Sequence, residues 1–330
     1  MKTHALALLT AAASLTGPSG PADTQRSERY WYVGTTGSDD NPGTQDAPFR
    51  TITKGLTVLR PGDTLWVREG TYPESFIGNI PGGTSWSERV KISAFPGEAV
   101  TIQPRPGAEF VFRFDSSNDR YIVIDGFTID ADNVVHDAVK ITYRSSAAHH
   151  VRIEDSEVRN APGNGALISR SRKLVPRHNK LVNLDIHDHG LSDFGHGIYV
   201  ASSGIVVKQS RIYRNAGWGV HVYNGDYPRL TANNNIVRNN RIFDNARVGD
   251  RGAGIILSSG SGNIAYPGGP GRRRCPSALN ARGTTSVRMS SSGVPSGGFG
   301  MASPGPVVDA SRVHRGVSRR LDFSLGLGHR

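Results

Sequence analysis

Cys275 is the only cysteine among 330 residues, so no intrachain disulfide can brace the fold. No apolar run approaches the ~20 residues of a membrane-spanning helix; the hydrophobic stretch Ala5–Leu15 is far shorter. There is no Gly-rich phosphate loop and no paired-cysteine metal motif, which removes two common cofactor signatures. Lysine and glutamate are missing after residue 263. Residues 264–330 hold ten Arg and two Asp, a net charge of +8 out of the chain's +11. A basic stripe through a folded domain would point to nucleic acid. Basicity confined to one segment of foreign composition does not, so no nucleic-acid partner is expected. Helical 3.6-residue periodicity is scarce too, which excludes a helical solenoid.

What is present starts with a leader. Lys2, the run Ala5–Leu15 and small residues up to Ala22 have the layout of a secretory signal peptide over 1–22. The expected location is extracellular or periplasmic, with no membrane span. Tyr30–Val33 reads as a strand and "GSDDNPGT" as turn chemistry. Phe49, Ile52, Leu56 and Leu59 recur at helical spacing, which predicts a short amphipathic helix. Pro61-Gly62 ends it, and "DTLWVREGTY" alternates like a strand.

From Tyr121 onward the chain repeats. Ile129, Val158, Ile186, Ile212 and Ile242 form one apolar column, and Ile124, Ile153, Leu181, Val207 and Val237 stand five residues before each. Two further columns follow, Val139–Ala166–Ile198–Val220–Ile255 and, two residues on, Ile141–Ile168–Val200–Val222–Leu257. Repeats of this length with short period-2 runs predict three strands per coil. The fold class expected is all-β: a parallel β-helix over 23–263, with the helix as an N-terminal cap that shields an exposed end. Gly126, Asp155, Asn183, Gln209 and Asn239, three before each Ile129-type anchor, are expected to stack as a ladder inside a tight turn. Residues 264–330, rich in Arg, Gly, Pro and Ser, break the repeat. They read either as a disordered basic tail or surface-binding extension, or as an out-of-frame peptide after a truncated helix.

The opening "YVGTTGSDDNPGTQDAPFRTI…RPGDTLWVREGTY" and the coils up to 263 resemble secreted right-handed β-helix proteins of the pectate-lyase-like superfamily. The resemblance implies a monomer that takes a polysaccharide or cell-surface glycan as partner, and leaves open whether it is catalytic, since one fold hosts many chemistries. It also implies a substrate groove on the strand that follows the long loop. There, strand alternation puts Lys140, Tyr199, His221 and Tyr223 outward, with His196, Trp218, Asp188 and Asp193 expected around them.

Uronate β-elimination needs a base, a group that neutralises the carboxylate, and an acid for the leaving oxygen. Lys140, Tyr199 and His221 are the candidate catalytic residues, with Lys140 or His221 as base and Tyr199 as acid. His196, Trp218 and Tyr223 are candidate substrate contacts. Calcium-dependent β-helix pectate lyases use clustered Asp, so Asp188 and Asp193 are the candidate Ca²⁺ ligands by resemblance; a transition metal on "DIHDHGLSD" is the alternative. Gly195-His196-Gly197 resembles the Gly-His-Gly of polygalacturonases. Gly163-Asn164 stands where that family has paired Asp, so inverting hydrolysis is not expected. The competing reading is a non-catalytic β-helix, whole or a truncated remnant, that binds glycan or cell surface.

Overall fold

The computed structural model describes residues 29–223, 232–249, 254–257, 261–267 and 287–289. It is a right-handed parallel β-helix whose coils stack strand on strand along three faces. The expected leader at 1–22 and almost all of the segment 264–330 lie outside the described residues. Within that segment, a strand Ile264–Pro267 pairs in parallel with Ile236–Phe243, so pairing runs past 263. No helix among the described residues is long and apolar enough to cross a membrane.

Three apolar columns form the core, and their register is the one read from the repeat. On face 1, Ile124, Ile153, Leu181, Val207 and Val237 are direct neighbours on successive strands. Face 2 stacks Ile129, Val158, Ile186, Ile212 and Ile242. Face 3 stacks Val139, Ala166, Ile198, Val220 and Ile255. The same columns continue toward the N-terminus through Leu65 and Ile92, Tyr72 and Ile102, and Phe76 and Phe112. Parallel strands lie about 4.8 Å apart, so each inward side chain packs on its own equivalents, and nearly all of these are buried.

The helix is shorter than its spacing predicts. It covers only Ile52–Leu56, capped by the Thr51 side chain on the amide of Lys54. Phe49 instead bridges to Val33 as extended chain, because that pairing closes the end of the core. The strand expected across Asp63–Tyr72 is two, Thr64–Val67 and Gly70–Tyr72, split by the corner between faces 1 and 2.

The expected ladder forms a single bond among the described residues, Asn183 Nδ2 donating to Asp155 Oδ1 at 2.6 Å. Gly126, Asp155, Asn183, Gln209 and Asn239 all adopt positive φ, between 51° and 82°. They are exposed corner residues that let the chain turn within one residue, a conformation Gly and Asn tolerate and most side chains resist. The inward ladder is the next residue along: Ser210 donates its amide to Asn240 Oδ1 at 2.9 Å, and Leu184 N donates to Ser210 Oγ at 3.0 Å. A second ladder runs where face 1 begins. Asn235 Oδ1 accepts from Ile205 N, its Nδ2 donates to Ser202 O and Asn263 Oδ1, and Asn263 Nδ2 donates to Ala232 O. Buried amides bonded this way satisfy backbone groups that a turn leaves unpaired.

Candidate functional site

The outward row of face 3 is the site's floor. Arg113, Lys140, Leu167, Tyr199, His221 and Ile256 stand in register on successive strands. The sequence places Lys140 and Tyr199 on one surface, and so they are. Leu167 nevertheless separates them, and the floor has a cationic end and an aromatic end.

At the cationic end, Lys140 opens into a cavity of about 460 Å³ walled by Phe110, Val135, His136, Asp137, Pro162, Gly163 and Leu191. Its Nζ is 3.6 Å from Oδ2 of Asp137. Asp137 is buried, and its Oδ1 accepts from N and Nδ2 of Asn164 at 2.9 and 2.7 Å. Asn164 in turn accepts the amide of His196 on its Oδ1. Burial pushes the Lys140 amine below the ordinary lysine range; Asp137 opposes that shift and Arg113 adds to it. Arg113 is itself ion-paired with Asp115 and Glu109.

The aromatic end gathers five rings. Tyr199 lies flat on His221 at 4.8 Å, and His221 on Tyr223 at 5.3 Å. Trp218 meets His221 edge-on at 4.3 Å and stacks on His196 at 4.9 Å. His196 is expected at the rim, yet it is 2% exposed and sits beneath the others. Its Nδ1 accepts the amide of Trp218, so its proton is on Nε2, which faces Nδ1 of His221 at 3.1 Å. His221 Nδ1 is then the acceptor and its Nε2 carries the proton. Burial lowers the two imidazoles to about 4 and about 3. Both are neutral at ordinary pH, and the one lone pair of each is engaged.

The repeated Gly-x-x-Val of Gly197–Val200 and Gly219–Val222 has a packing cause. A Cβ on Gly197 would meet Ile212 Cγ2 at 2.5 Å and Gly219 O at 2.7 Å; on Gly219, Ile242 Cγ2 at 2.4 Å and Gly254 O at 2.7 Å. The glycines let each loop re-enter face 3 against the coil beside it.

The donor set at Asp188 does not fit Ca²⁺. Its carboxylate accepts from Arg214 and contacts His187 Nδ1 at 2.7 Å, with Arg247 at 3.7 Å. Arg214 holds it down to about 2. Three neighbours of basic character already occupy oxygens that a hard cation would need. The Asp193 side chain stands against Gly249. Among the described residues one group of three acids comes close enough to share an ion, Asp125, Glu154 and Asp155. It lies at the corner after face 1, with Lys91 at 2.7 Å from Asp125 and Arg152 at 3.5 Å from Glu154.

Sequence reasoning missed Asp137, Asn164 and Arg113. Counting the repeat one coil earlier would have put Arg113 in the outward column. Asp137 and Asn164 sit in loops of variable length, where column spacing gives no signal.

Residues 31–193 match the family described as "Pel9A-like, right handed beta helix region". Among curated proteins, the chain is 30% identical over 143 residues to the uncharacterized protein YwoF of Bacillus subtilis, covering 42% of this chain and 30% of that one. It is 26% identical over 220 residues to pectate lyase PEL9 of Emericella nidulans, covering 61% and 52%. The chain thus spans about half, or less, of the curated relatives it matches. Among solved structures, pectate lyase Pel9A superposes with a TM-score of 0.54 at 15% identity, over 69% of this chain and 58% of that one. The fold is of the pectate-lyase-like kind.

Proposed function

We propose that this chain acts on an acidic polysaccharide outside the cell and cleaves it by β-elimination in the cavity around Lys140. The observation that carries this reading is an amine with a lowered pKa, on the floor of an open cavity, next in register to an arginine. Similarity to a pectate lyase over 61% of the chain supports the substrate class. The leader-like residues 1–22 support export.

In this mechanism the neutral Lys140 amine takes the proton beside the uronate carboxylate. The electron pair left behind forms the C=C bond, and the C–O bond to the leaving sugar breaks. Arg113 stands one strand away, about 4.8 Å, and offsets the charge that builds on the carboxylate. Tyr199 is two strands from Lys140, and its ring is stacked on His221, so it is assigned to sugar binding. The leaving oxygen then takes its proton from water. Asp137 is a positioning residue: locked by Asn164, it holds Nζ at the cavity mouth.

A second reading, glycan binding without turnover, is favoured by the aromatic end. His221 has its basic nitrogen engaged by His196, and flat rings suit sugar faces. The test is incubation with pectate, alginate and glycosaminoglycans, following the absorbance of new unsaturated uronates. Turnover that Lys140→Ala abolishes supports the lyase. No product from any of them, with binding lost in Trp218→Ala, supports the second reading.

A further inference from the structure

The charges on the outer surfaces of faces 1 and 2 are arranged differently. On face 2 they form ion pairs, Arg159 with Asp130 at 3.0 Å, Arg211 with Asp185 at 3.2 Å, and His187 with Glu157 at 3.0 Å, even where Glu157 faces Asp185 and Arg211 faces Arg241 across strands. Face 1 begins the same way, with Lys91 on Asp125 and Arg152 on Glu154. Further along the pairing stops. Lys180, Lys208 and Arg238 project from three successive strands, with Lys208 directly opposite Arg238, and no carboxylate among the described residues is ion-paired to them. Like charges opposite each other destabilise a sheet. Burial lowers the pKa of the Lys180 amine, Arg152 and Lys208 lower it further, and Glu154 opposes them.

The strip is also held. Trp86 reaches over face 1 with the Arg152 guanidinium 4.5 Å and the Lys180 ammonium 5.7 Å from its ring. Tyr121 braces it edge-on at 5.5 Å, and His150 lies flat on Tyr121. Cation–π contact holds Arg152 and Lys180, so the first cation of the strip is ordered before any ligand arrives. Lys208 and Arg238 are one strand apart, about 4.8 Å, close to the advance of one pyranose unit, while Lys180 faces Val206 and is set diagonally, two residues along the strand from the position opposite Lys208. The groove around Lys140 lies on face 3 and shares none of these residues.

We infer that Lys180, Lys208 and Arg238 form a second polyanion-binding strip, on face 1, whose ligand is the carboxylate-bearing chain of an acidic polysaccharide. Lys208 and Arg238 face neighbouring uronates, and Lys180 reaches the chain from a diagonal position. The site depends on the proposed function only for the kind of polyanion, since binding here is read without turnover.

The experiment uses the full chain and long-chain polygalacturonate, with a neutral glucan as control. Acetylation of lysines by a soluble anhydride, mapped by mass spectrometry, should show Lys180 and Lys208 protected by polygalacturonate and not by the glucan. The triple variant Lys180→Gln, Lys208→Gln, Arg238→Gln should bind polygalacturonate at least ~10-fold more weakly at low salt, the difference shrinking as salt rises. Lys140→Ala should leave the protection of Lys180 intact, which separates this strip from the groove. Unprotected Lys180 and Lys208 in the wild type would overturn the proposal, whether or not the protein cleaves anything. Protection by duplex DNA but not by polygalacturonate would overturn it in favour of a nucleic-acid surface. The protection experiment needs no variant, so a triple variant that fails to fold leaves a decisive result.

Discussion

His196 donates its Nε2 proton to Nδ1 of His221 across 3.1 Å, while its own Nδ1 accepts the Trp218 amide. This fixes both tautomers without any charged group. His189 shows the same device deeper in: its Nδ1 accepts from Ala161 N at 3.0 Å and its Nε2 donates to Val158 O at 3.0 Å. Protonating any of these rings would set a donor against a donor in a buried place.

That arrangement predicts an acid-labile fold. Burial holds His189 and His221 at about 3 and His196 at about 4, against an unfolded value near 6.5. The folded values are depressed, so the unfolded chain binds more protons between these limits. Stability is therefore complete above pH ~6.5 and falls as pH drops toward about 4 and then 3. Urea unfolding at a series of pH values should show that slope. In His221→Asn the slope should be shallower. A free energy flat from pH 6.5 to 4.5 would contradict the neutral network.

The amide ladders predict a contrast between two asparagines, one buried and one at an exposed corner. Asn235→Leu should cost roughly 2–4 kcal/mol, because it strips a partner from Ile205 N and Ser202 O inside the coil. Asn183→Gly at the exposed corner should cost far less, since glycine takes its φ of 52° without strain and only the exposed bond to Asp155 Oδ1 is lost. Denaturant midpoints of the two variants check this. Equal losses would mean that the corner and the ladder do the same job.

These two positions also show where the sequence is legible. Ile153, Leu181, Val207 and Val237 fall into one column because stacked coils must put like on like, and spacing alone reveals it. The ladder is a near miss: Asn183 does bond its equivalent Asp155, yet that bond is exposed, and the corner uses this column chiefly for its backbone conformation. The inward bonds fall to Ser210 and Asn240, one position later. At the site, strand alternation finds Lys140, Tyr199 and His221. It cannot tell that Asp188 is taken by Arg214, or that His196 lies beneath Trp218, because both facts depend on loop paths. Leu191 makes the point from the other side. It is 82% exposed, yet it walls the Lys140 cavity, and only the loop's path puts it there.

The core column predicts an intolerant position. Val207 is 1% exposed and lies between Leu181 and Val237. Val207→Asp would place an unpaired carboxylate in the stack, a cost of several kcal/mol that a marginally stable domain cannot carry. Loss of the cooperative thermal transition is expected, with Val207→Ile retaining it. A folded Val207→Asp protein with an unchanged melting temperature would mean that the column does not carry the fold.

The two ends of the floor predict different kinetic losses. Lys140 must be neutral to accept a proton, and its amine lies below the ordinary lysine range. The rate should therefore rise with pH along a limb set by Lys140, and that limb should begin below the pH of a free lysine. Lys140→Ala should reduce turnover by at least ~10²-fold, the scale of a general base, with the melting transition nearly unchanged because the side chain reaches solvent through the cavity. Asp137→Asn removes the carboxylate that favours the charged amine, so the limb should move to lower pH; a merely structural aspartate would leave it in place. Tyr199→Phe and Trp218→Ala act at the aromatic end and should raise KM more than they lower kcat, since their rings bind sugar without touching the proton in flight. A kcat loss in Tyr199→Phe as large as that of Lys140→Ala would return Tyr199 to the role of leaving-group acid. A pH limb unaffected by Lys140→Ala would remove the lysine from the chemistry.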